Sequence, residues 1–212
     1  MLTLLNPIRH CKICFEQFDD ISFYSVISKN NIICEKCFSL FEAKFIHFNI
    51  DSIKCLSIYE YDDTIKDLLF KFKGCYDIEL KDVFLTRYIL YLKLLYKDYY
   101  LVPVPSYYMD DERRGFNHVV EIYSGLNLPM LKIIEKKKDH KQAKSKKKER
   151  ISSKKNFVLV DSKNIFGKKI LVVDDVYTTG SSVRAVIELI KPYKPKKISV
   201  LVVAKNVLKP MK

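Results

Sequence analysis

The sequence has no long uninterrupted run of apolar residues. The apolar region at residues 85–96 is broken by Arg87 and Lys93, which excludes a membrane span there. The apolar run before Pro7 is too short for a secretory signal, so we expect a cytoplasmic protein without membrane insertion. Internal repeats are also absent. A length of 212 residues with 48% hydrophobic residues predicts one globular domain plus a small module.

A Gly-Lys-Ser/Thr nucleotide loop is missing, yet residues 169–183 have a pattern that suits a phosphate site. The apolar residues 170–173 predict a strand that is buried on both faces and ends at Asp174 and Asp175. A helical pattern follows after a group of hydroxyl residues and one glycine, namely Thr178, Thr179, Gly180, Ser181 and Ser182.

The chemistry of this stretch favours a ribose 5-phosphate. Gly180 can adopt backbone conformations that residues with a Cβ disfavour, and the hydroxyl residues can cap the following helix. Backbone N–H groups at a helix start bind anions. The two carboxylates would repel a phosphate, but they can accept hydrogen bonds from a vicinal diol or hold Mg2+ through water.

Three alternatives account for parts of the same stretch. Receiver domains also have a strand that ends in two aspartates, but near the start of the domain, whereas this pair lies near the end of the chain. A Walker-type loop would need the missing Gly-Lys-Ser/Thr. A strand, turn and helix without any ligand is the remaining alternative.

Much of the net charge of +13 lies in residues 132–155. This segment of 24 residues contains 12 lysines and arginines against 3 acidic residues. It is either a solvated loop or an electrostatic contact to a phosphate backbone, and the sequence favours neither.

The six cysteines fall into two groups. Cys11 with Cys14, and Cys34 with Cys37, form two C-x2-C pairs separated by 19 residues. This spacing predicts a structural zinc ion with four thiolate ligands and no position open for catalysis. Disulfides are the alternative, and they are disfavoured without a secretory signal. The other two cysteines, Cys55 and Cys75, are expected in the core.

The remaining pattern predicts strands and helices around a parallel sheet. Strands are predicted at residues 53–61, 100–104, 157–160, 170–173 and 198–204. Helices are predicted at residues 38–48, 64–73, 82–96 and 181–193, with another that ends near Leu126. A proline-containing loop follows the strand at 100–104 and should open at the carboxyl edge of the sheet, where ligands bind in such folds. Arg113 and Arg114 come next, either as a solvated pair or as a second anion site.

Two resemblances narrow these predictions. LVVDDVYTTGSS resembles the phosphoribosyl pyrophosphate (PRPP) signature of type I phosphoribosyltransferases. By this resemblance Asp174 and Asp175 face the ribose hydroxyls, residues 178–182 surround the 5-phosphate, and Mg2+ accompanies PRPP. The paired C-x2-C motifs, VPVPS, ERRGFNH and DDVYTTG, in this order, resemble the ComF family of competence-associated proteins. Residues 114–117 match the family's RGFN, whereas His118 stands where glutamine is usual.

The predicted architecture has two parts. Residues 1–50 form a zinc-ribbon-like module, and residues 51–212 form a type I phosphoribosyltransferase-like α/β domain with a parallel sheet. The resemblance implies a protein that handles incoming single-stranded DNA during natural transformation, binds PRPP, and contacts other proteins of the competence machinery. Electrostatic contact to the DNA would come from residues 132–155, from Arg113 and Arg114, and from Lys12 and Lys36.

Two alternatives for the function stay open. One is an active Mg-dependent phosphoribosyltransferase with an unknown acceptor, and the other is a PRPP sensor without chemistry. The family's middle segment is altered here, with Glu149 in place of an arginine and Ser152 in place of an asparagine. No catalytic residue is identified, because the four histidines are scattered along the chain.

Overall fold

The computed structural model describes residues 9–18, 32–136, 157–163 and 165–207. The strands in these ranges are β1 (Arg9–His10), β2 (Gln17–Phe18), β3 (Ile46–Ile50), β4 (Ile53–Glu60), β5 (Tyr99–Pro103), β6 (Ile134–Lys136), β7 (Phe157–Leu159), β8 (Lys169–Tyr177) and β9 (Lys197–Lys205). The α-helices are α1 (Glu35–Phe38), α2 (Asp63–Lys73), α3 (Ile89–Leu95), α4 (Tyr108–Arg114), α5 (His118–Ser124) and α6 (Ser181–Ile190). No helix in the described ranges is long and apolar enough to cross a membrane.

The central sheet has five strands in the order β3-β4-β9-β8-β5. Four of them are parallel, and β3 is added antiparallel to β4 at one edge. The predicted α/β fold with a parallel sheet is therefore confirmed. The carboxyl ends of β5, β8, β9 and β4 meet at one edge, which is where ligands bind in this class of fold.

The strand β8 is buried on both faces, as its apolar run predicts. Ile170 and Val172 pack into one core together with α6 and the β6–β7 hairpin. Leu171 and Val173 pack into the other core, on the side of α2 and α5. The sheet therefore separates two apolar layers.

The four-cysteine region packs against the second of these layers. Cys11, Cys34 and Cys37 belong to the same buried cluster as Phe41 and as Leu56 of β4. The boundary at residue 50 stays a prediction, although β3 ends there and is hydrogen-bonded into the sheet.

The helix predicted at residues 38–48 is wrong. Phe45 has a φ of +45°, which a right-handed helix does not allow. The N–H groups of Lys44 and Phe45 both donate to the Ile58 carbonyl, so this segment is attached to β4. The regular spacing of its aromatic residues reflects ring packing, for example of Phe45 on Tyr88 with centroids 5.0 Å apart.

The long helix predicted at residues 82–96 is also wrong, because only residues 89–95 are α-helical. The residues before them form two short 3-10 turns, Ile78–Asp82 and Thr86–Tyr88. The buried Tyr59 hydroxyl donates to the Phe84 carbonyl at 2.9 Å, so that carbonyl is held by the core between the two turns.

Candidate functional site

The predicted phosphate loop lies at the carboxyl edge of the sheet. β8 continues through the acidic pair to Tyr177, so the strand is longer than predicted, and α6 begins at Ser181. Thr178, Thr179 and Ser181 are exposed at this turn. The N-cap residue Gly180 has no side chain, but Thr179 Oγ1 accepts a hydrogen bond from the Ser181 N–H at 3.4 Å, so one hydroxyl residue takes the predicted capping role. Backbone N–H groups at the start of a ten-residue helix favour anions, which suits the predicted phosphate site.

Gly180 is required by the shape of this turn. Its φ is +72°, in the left-handed region. A Cβ on Gly180 would lie 2.3 Å from the Tyr177 hydroxyl oxygen. No other residue fits this position without displacing Tyr177.

Asp175 is held by three partners inside the protein. Lys73 Nζ lies 2.5 Å and His118 Nε2 lies 3.3 Å from Asp175 Oδ2, and the Val176 N–H donates to Oδ1 at 2.6 Å. Burial alone would raise the pKa of Asp175, but the hydrogen bond from His118 and the charge of Lys73 outweigh it and lower the pKa below its ordinary value. Asp175 is therefore a buried, compensated anion.

Asp174 has the opposite electrostatic environment. Burial and the neighbouring charge of Asp175 raise the pKa of Asp174 well above its ordinary value. The Asp174 Oδ1 atom accepts a hydrogen bond from the Asp175 N–H at 2.9 Å, and its backbone carbonyl accepts one from the Tyr123 hydroxyl at 2.8 Å. The two adjacent acids are therefore chemically distinct.

Arg114 orients the histidine that contacts Asp175. The Arg114 guanidinium lies 3.0 Å from His118 Nδ1 and also donates to the Lys73 carbonyl at 3.0 Å. A guanidinium can only donate, so Nδ1 accepts and the proton of the neutral imidazole lies on Nε2, directed at Asp175. Arg114 has a side chain that is only 8% exposed, so it is not part of a second anion site.

Sequence reasoning missed Lys73 and His118 as site residues. The scattered histidines indicate no catalytic residue in the sequence, whereas in the fold His118 is buried and lies against Asp175. The available signal was His118 itself, which replaces a family glutamine that could also donate to a carboxylate.

A cavity of about 800 Å3 opens beside the carboxyl end of β5. The described residues that line it come from the proline-containing loop, from α4 and α5, and from the β6–β7 hairpin, and include Pro105, Ser106, Asn117 and Lys136. Asn117 Nδ2 donates to Ser106 Oγ at 2.9 Å and to Asp111 Oδ2 at 2.8 Å, which fixes the loop to the start of α5. The predicted position of this loop at the ligand edge is thus observed.

The four cysteines Cys11, Cys14, Cys34 and Cys37 are brought together. Their sulfur atoms all lie within 4.8 Å of one another, and all four are free thiols. A tetrahedral zinc ion with Zn–S bonds of about 2.3 Å holds its sulfurs about 3.8 Å apart, and Cys14 Sγ lies 3.7 Å from Cys34 Sγ. The N–H of Cys37 donates to Cys34 Sγ at 3.4 Å, which suits a thiolate. The donor set therefore fits structural zinc.

Of the other two cysteines, Cys55 is buried as expected, but Cys75 is exposed.

Comparisons with known proteins give a family match over a range that includes the acidic pair and the loop after it. Residues 112–211 match the family model of the phosphoribosyl transferase domain. The chain is 34% identical to the competence protein ComFC of Bacillus subtilis over 130 residues, which are 59% of this chain and 53% of that protein. It is 30% identical to ComFC of Streptococcus pneumoniae over 135 residues, which are 64% of this chain and 60% of that protein. The chain thus spans less than two thirds of either relative.

The similarity to solved structures is weaker. The structure of APRTase from Giardia lamblia in complex with 9-deazaadenine has a TM-score of 0.39 and 16% identity, over 80% of this chain and 83% of that chain.

Proposed function

Because this chain is related to the ComF family of competence proteins and contains a phosphoribosyl transferase domain, we propose that it handles incoming single-stranded DNA in the cytoplasm during natural transformation. We further propose that it binds PRPP with Mg2+ and acts together with other proteins of the competence machinery. The observation that carries the PRPP part is the exposed loop between β8 and α6, next to the buried acidic pair.

In this proposal the 5-phosphate binds the N–H groups and hydroxyls of residues 178–182, namely Thr178, Thr179, Gly180, Ser181 and Ser182. Asp174 accepts hydrogen bonds from the ribose diol. The resemblance implies that Asp175 also faces the ribose hydroxyls, but both of its carboxylate oxygens already have partners in the protein, so we assign it a different role. Its negative charge fixes Lys73 and His118 at the edge of the site.

The carboxylates fit Mg2+ only indirectly. Asp175 is compensated by Lys73 and His118, and Asp174 is buried, so neither offers a free bidentate carboxylate. A magnesium ion would therefore be held by water and by the diphosphate oxygens of PRPP, as Mg2+ prefers.

The PRPP site is tested by calorimetric titration of the protein with PRPP and Mg2+. Wild-type protein should bind, and Asp174→Asn should lose about 2- to 12-fold in affinity, since it replaces an acceptor oxygen and a hydrogen bond contributes about 0.5 to 1.5 kcal/mol. Asp67→Asn, at an exposed position of α2, is the matched control and should bind like wild type. Absence of binding by the wild type would refute the site.

The DNA part is tested by titrating a labelled single-stranded oligonucleotide across a salt series. Most of the predicted basic segment lies outside the described residues. Among the described candidates, Lys12 is paired with Glu79 at 2.8 Å, and the Arg114 side chain is only 8% exposed. Arg113 is exposed, and Lys36 is 80% exposed with its Nζ 4.0 Å from Glu16 Oε1, so these two are better placed to contact DNA. We expect binding at low salt that weakens when the lysines between residues 136 and 148 are neutralised.

Phosphoribosyl transfer is the second candidate, and the cavity beside β5 favours it, because its volume of about 800 Å3 could hold an acceptor. The acceptor and the catalytic residues are unknown. Release of pyrophosphate from PRPP in the presence of candidate bases or amines would support transfer. PRPP binding with neither release nor DNA affinity would instead support a sensor.

A further inference from the structure

The edge of the sheet opposite the phosphate loop is rich in lysine. Two loops lie side by side there, residues 165–168 before β8 and residues 191–196 before β9. The Gly167 N–H donates to the Lys194 carbonyl at 3.2 Å, and the Lys196 N–H donates to the Lys168 carbonyl at 2.8 Å. These backbone bonds make the two loops one continuous surface.

The two loops that form this surface contain basic residues but no acidic ones. Residues 165–168 and 191–197 contain five lysines and no aspartate or glutamate. Lys54 from β4 joins Lys191, Lys194 and Lys197 around a cavity of about 390 Å3. Within the described ranges, no ion pair within 4.0 Å involves Lys54, Lys191, Lys194 or Lys196.

Two acidic side chains that precede strands at this edge of the sheet have other partners. Asp51 lies 3.6 Å from Arg184, and Asp98 lies 3.1 Å from Lys169. They therefore do little to reduce the positive potential of the two loops. Several lysines around one concave surface attract a polyanion more strongly than isolated lysines do.

Two exposed aromatic rings lie in the same loops. Phe166 is 75% exposed and Tyr193 is 40% exposed, each within two residues of a lysine. A charge cluster alone would fit any polyanion. Aromatic rings between lysines also fit unpaired nucleobases, which stack on exposed rings while the lysines contact the phosphates.

We propose that this lysine edge, defined as Lys54, Phe166, Lys191, Tyr193, Lys194 and Lys196, binds single-stranded nucleic acid. The proposal rests on the proposed function in DNA handling and assigns it a surface. Duplex nucleic acid fits less well, because its base faces are covered by stacking.

The position of the lysine edge predicts that single-stranded nucleic acid and PRPP can bind at the same time. β8 runs from Lys169 at this edge to Asp174 at the other, and five residues of parallel strand span about 17 Å. A nucleic acid strand at the lysine edge therefore leaves the phosphate loop accessible. Saturating PRPP should leave the affinity for an oligonucleotide unchanged.

The test compares two triple variants of the full chain with equal net charge. Lys191→Gln/Lys194→Gln/Lys196→Gln removes lysines of the edge, and Lys66→Gln/Lys71→Gln/Lys163→Gln removes exposed lysines elsewhere. Affinity for a labelled oligothymidylate is measured across a salt series. We expect the edge variant to lose at least about tenfold in affinity and to reduce the salt slope by about 2, since each phosphate contact contributes about 0.7. The control variant should change affinity by less than about twofold.

The stacking part has its own variants. Phe166→Ala and Tyr193→Ala should each lower affinity by about 5- to 150-fold and leave the salt slope unchanged. Equal affinity for a duplex of the same length would overturn the assignment to single strands.

The failures of the two proposals are distinguishable. If the wild type binds the oligonucleotide and the edge variant behaves like the control variant, the lysine edge is refuted and the proposed function stands. If the wild type does not bind at low salt, the proposed function in DNA handling fails together with the edge. Unchanged thermal unfolding of the edge variant ensures that a loss of binding does not reflect misfolding.

Discussion

Asp174 and Asp175 are adjacent residues to which the fold gives opposite properties. Alternation along β8 directs their side chains to opposite faces of the sheet. Asp175 lies against Lys73 and His118, whereas for Asp174 the leading electrostatic effects are burial and repulsion by Asp175. The sequence motif predicts the pair but not this difference, because Lys73 lies 102 residues away in the chain.

Asp174 should reduce stability at neutral pH. Its pKa is raised in the folded state, so the folded protein binds this proton more tightly than the unfolded chain does, and stability falls as pH rises above the unfolded pKa near 4. Asp174→Asn should therefore raise the free energy of unfolding near pH 7 by about 1 kcal/mol. The gain should shrink towards pH 4. Urea denaturation at pH 7 and at pH 4 measures the change in the free energy of unfolding, with Asp67→Asn as the control. Destabilisation by Asp174→Asn at both pH values would contradict the prediction.

Gly180 in the phosphate loop should tolerate replacement less well than Gly167 at the opposite edge of the sheet. Gly180→Ala combines a φ of +72° with the contact to Tyr177, whereas Gly167 has a φ of +69° and nothing within 4 Å of an added Cβ. Gly167→Ala should cost about 1 kcal/mol, the usual penalty of the left-handed region. Gly180→Ala should cost at least about 1 kcal/mol more and also weaken PRPP binding. Equal costs in denaturation would show that Tyr177 moves away freely.

Among the helices and strands, the sequence pattern predicted correctly those whose ends are set by residues next to them in the chain. The helix predicted at residues 64–73 is observed as Asp63–Lys73, because Asp62 caps its first turn by accepting from the Ile65 N–H at 2.9 Å. The predicted strand at residues 198–204 is likewise observed within β9. The predictions of helices at residues 38–48 and 82–96 were wrong because hydrogen bonds to residues distant in the chain determine the backbone conformation there. The Ile58 carbonyl and the Tyr59 hydroxyl are such partners.

The helix α2 connects the core to the acidic pair through its last residue. Lys73→Met would leave the Asp175 carboxylate with His118 and the Val176 N–H but without its cation. Removing one partner of a buried pair costs about 3 to 5 kcal/mol, and because Lys73 is 35% exposed we expect about 1 to 2 kcal/mol here. The loss should be measured near pH 7 by urea denaturation. Lys66→Met, on the exposed side of the same helix, should change stability by less than about 0.5 kcal/mol.

At the scale of the whole molecule, the cysteine cluster is part of the main core. The spacing of the cysteines predicts that they meet, since each pair lies on a tight turn. It does not predict what the cluster packs against, which depends on Phe41, Leu56 and other residues far apart in the chain. Zinc at this cluster should therefore stabilise the sheet domain as well as the N-terminal region.

Removing one zinc ligand should test this coupling. Cys14→Ser should lose the bound zinc and lower the free energy of unfolding of the whole chain by several kcal/mol, because a structural zinc site contributes roughly 10 kcal/mol of binding energy to folding. Cys75→Ser is the matched control, since Cys75 is an exposed free thiol outside the cluster, and it should keep both zinc and stability. Zinc content by mass spectrometry and denaturation followed by tyrosine fluorescence measure the two effects. Loss of zinc with an unchanged unfolding transition would show that the cluster and the sheet are energetically independent despite their shared core.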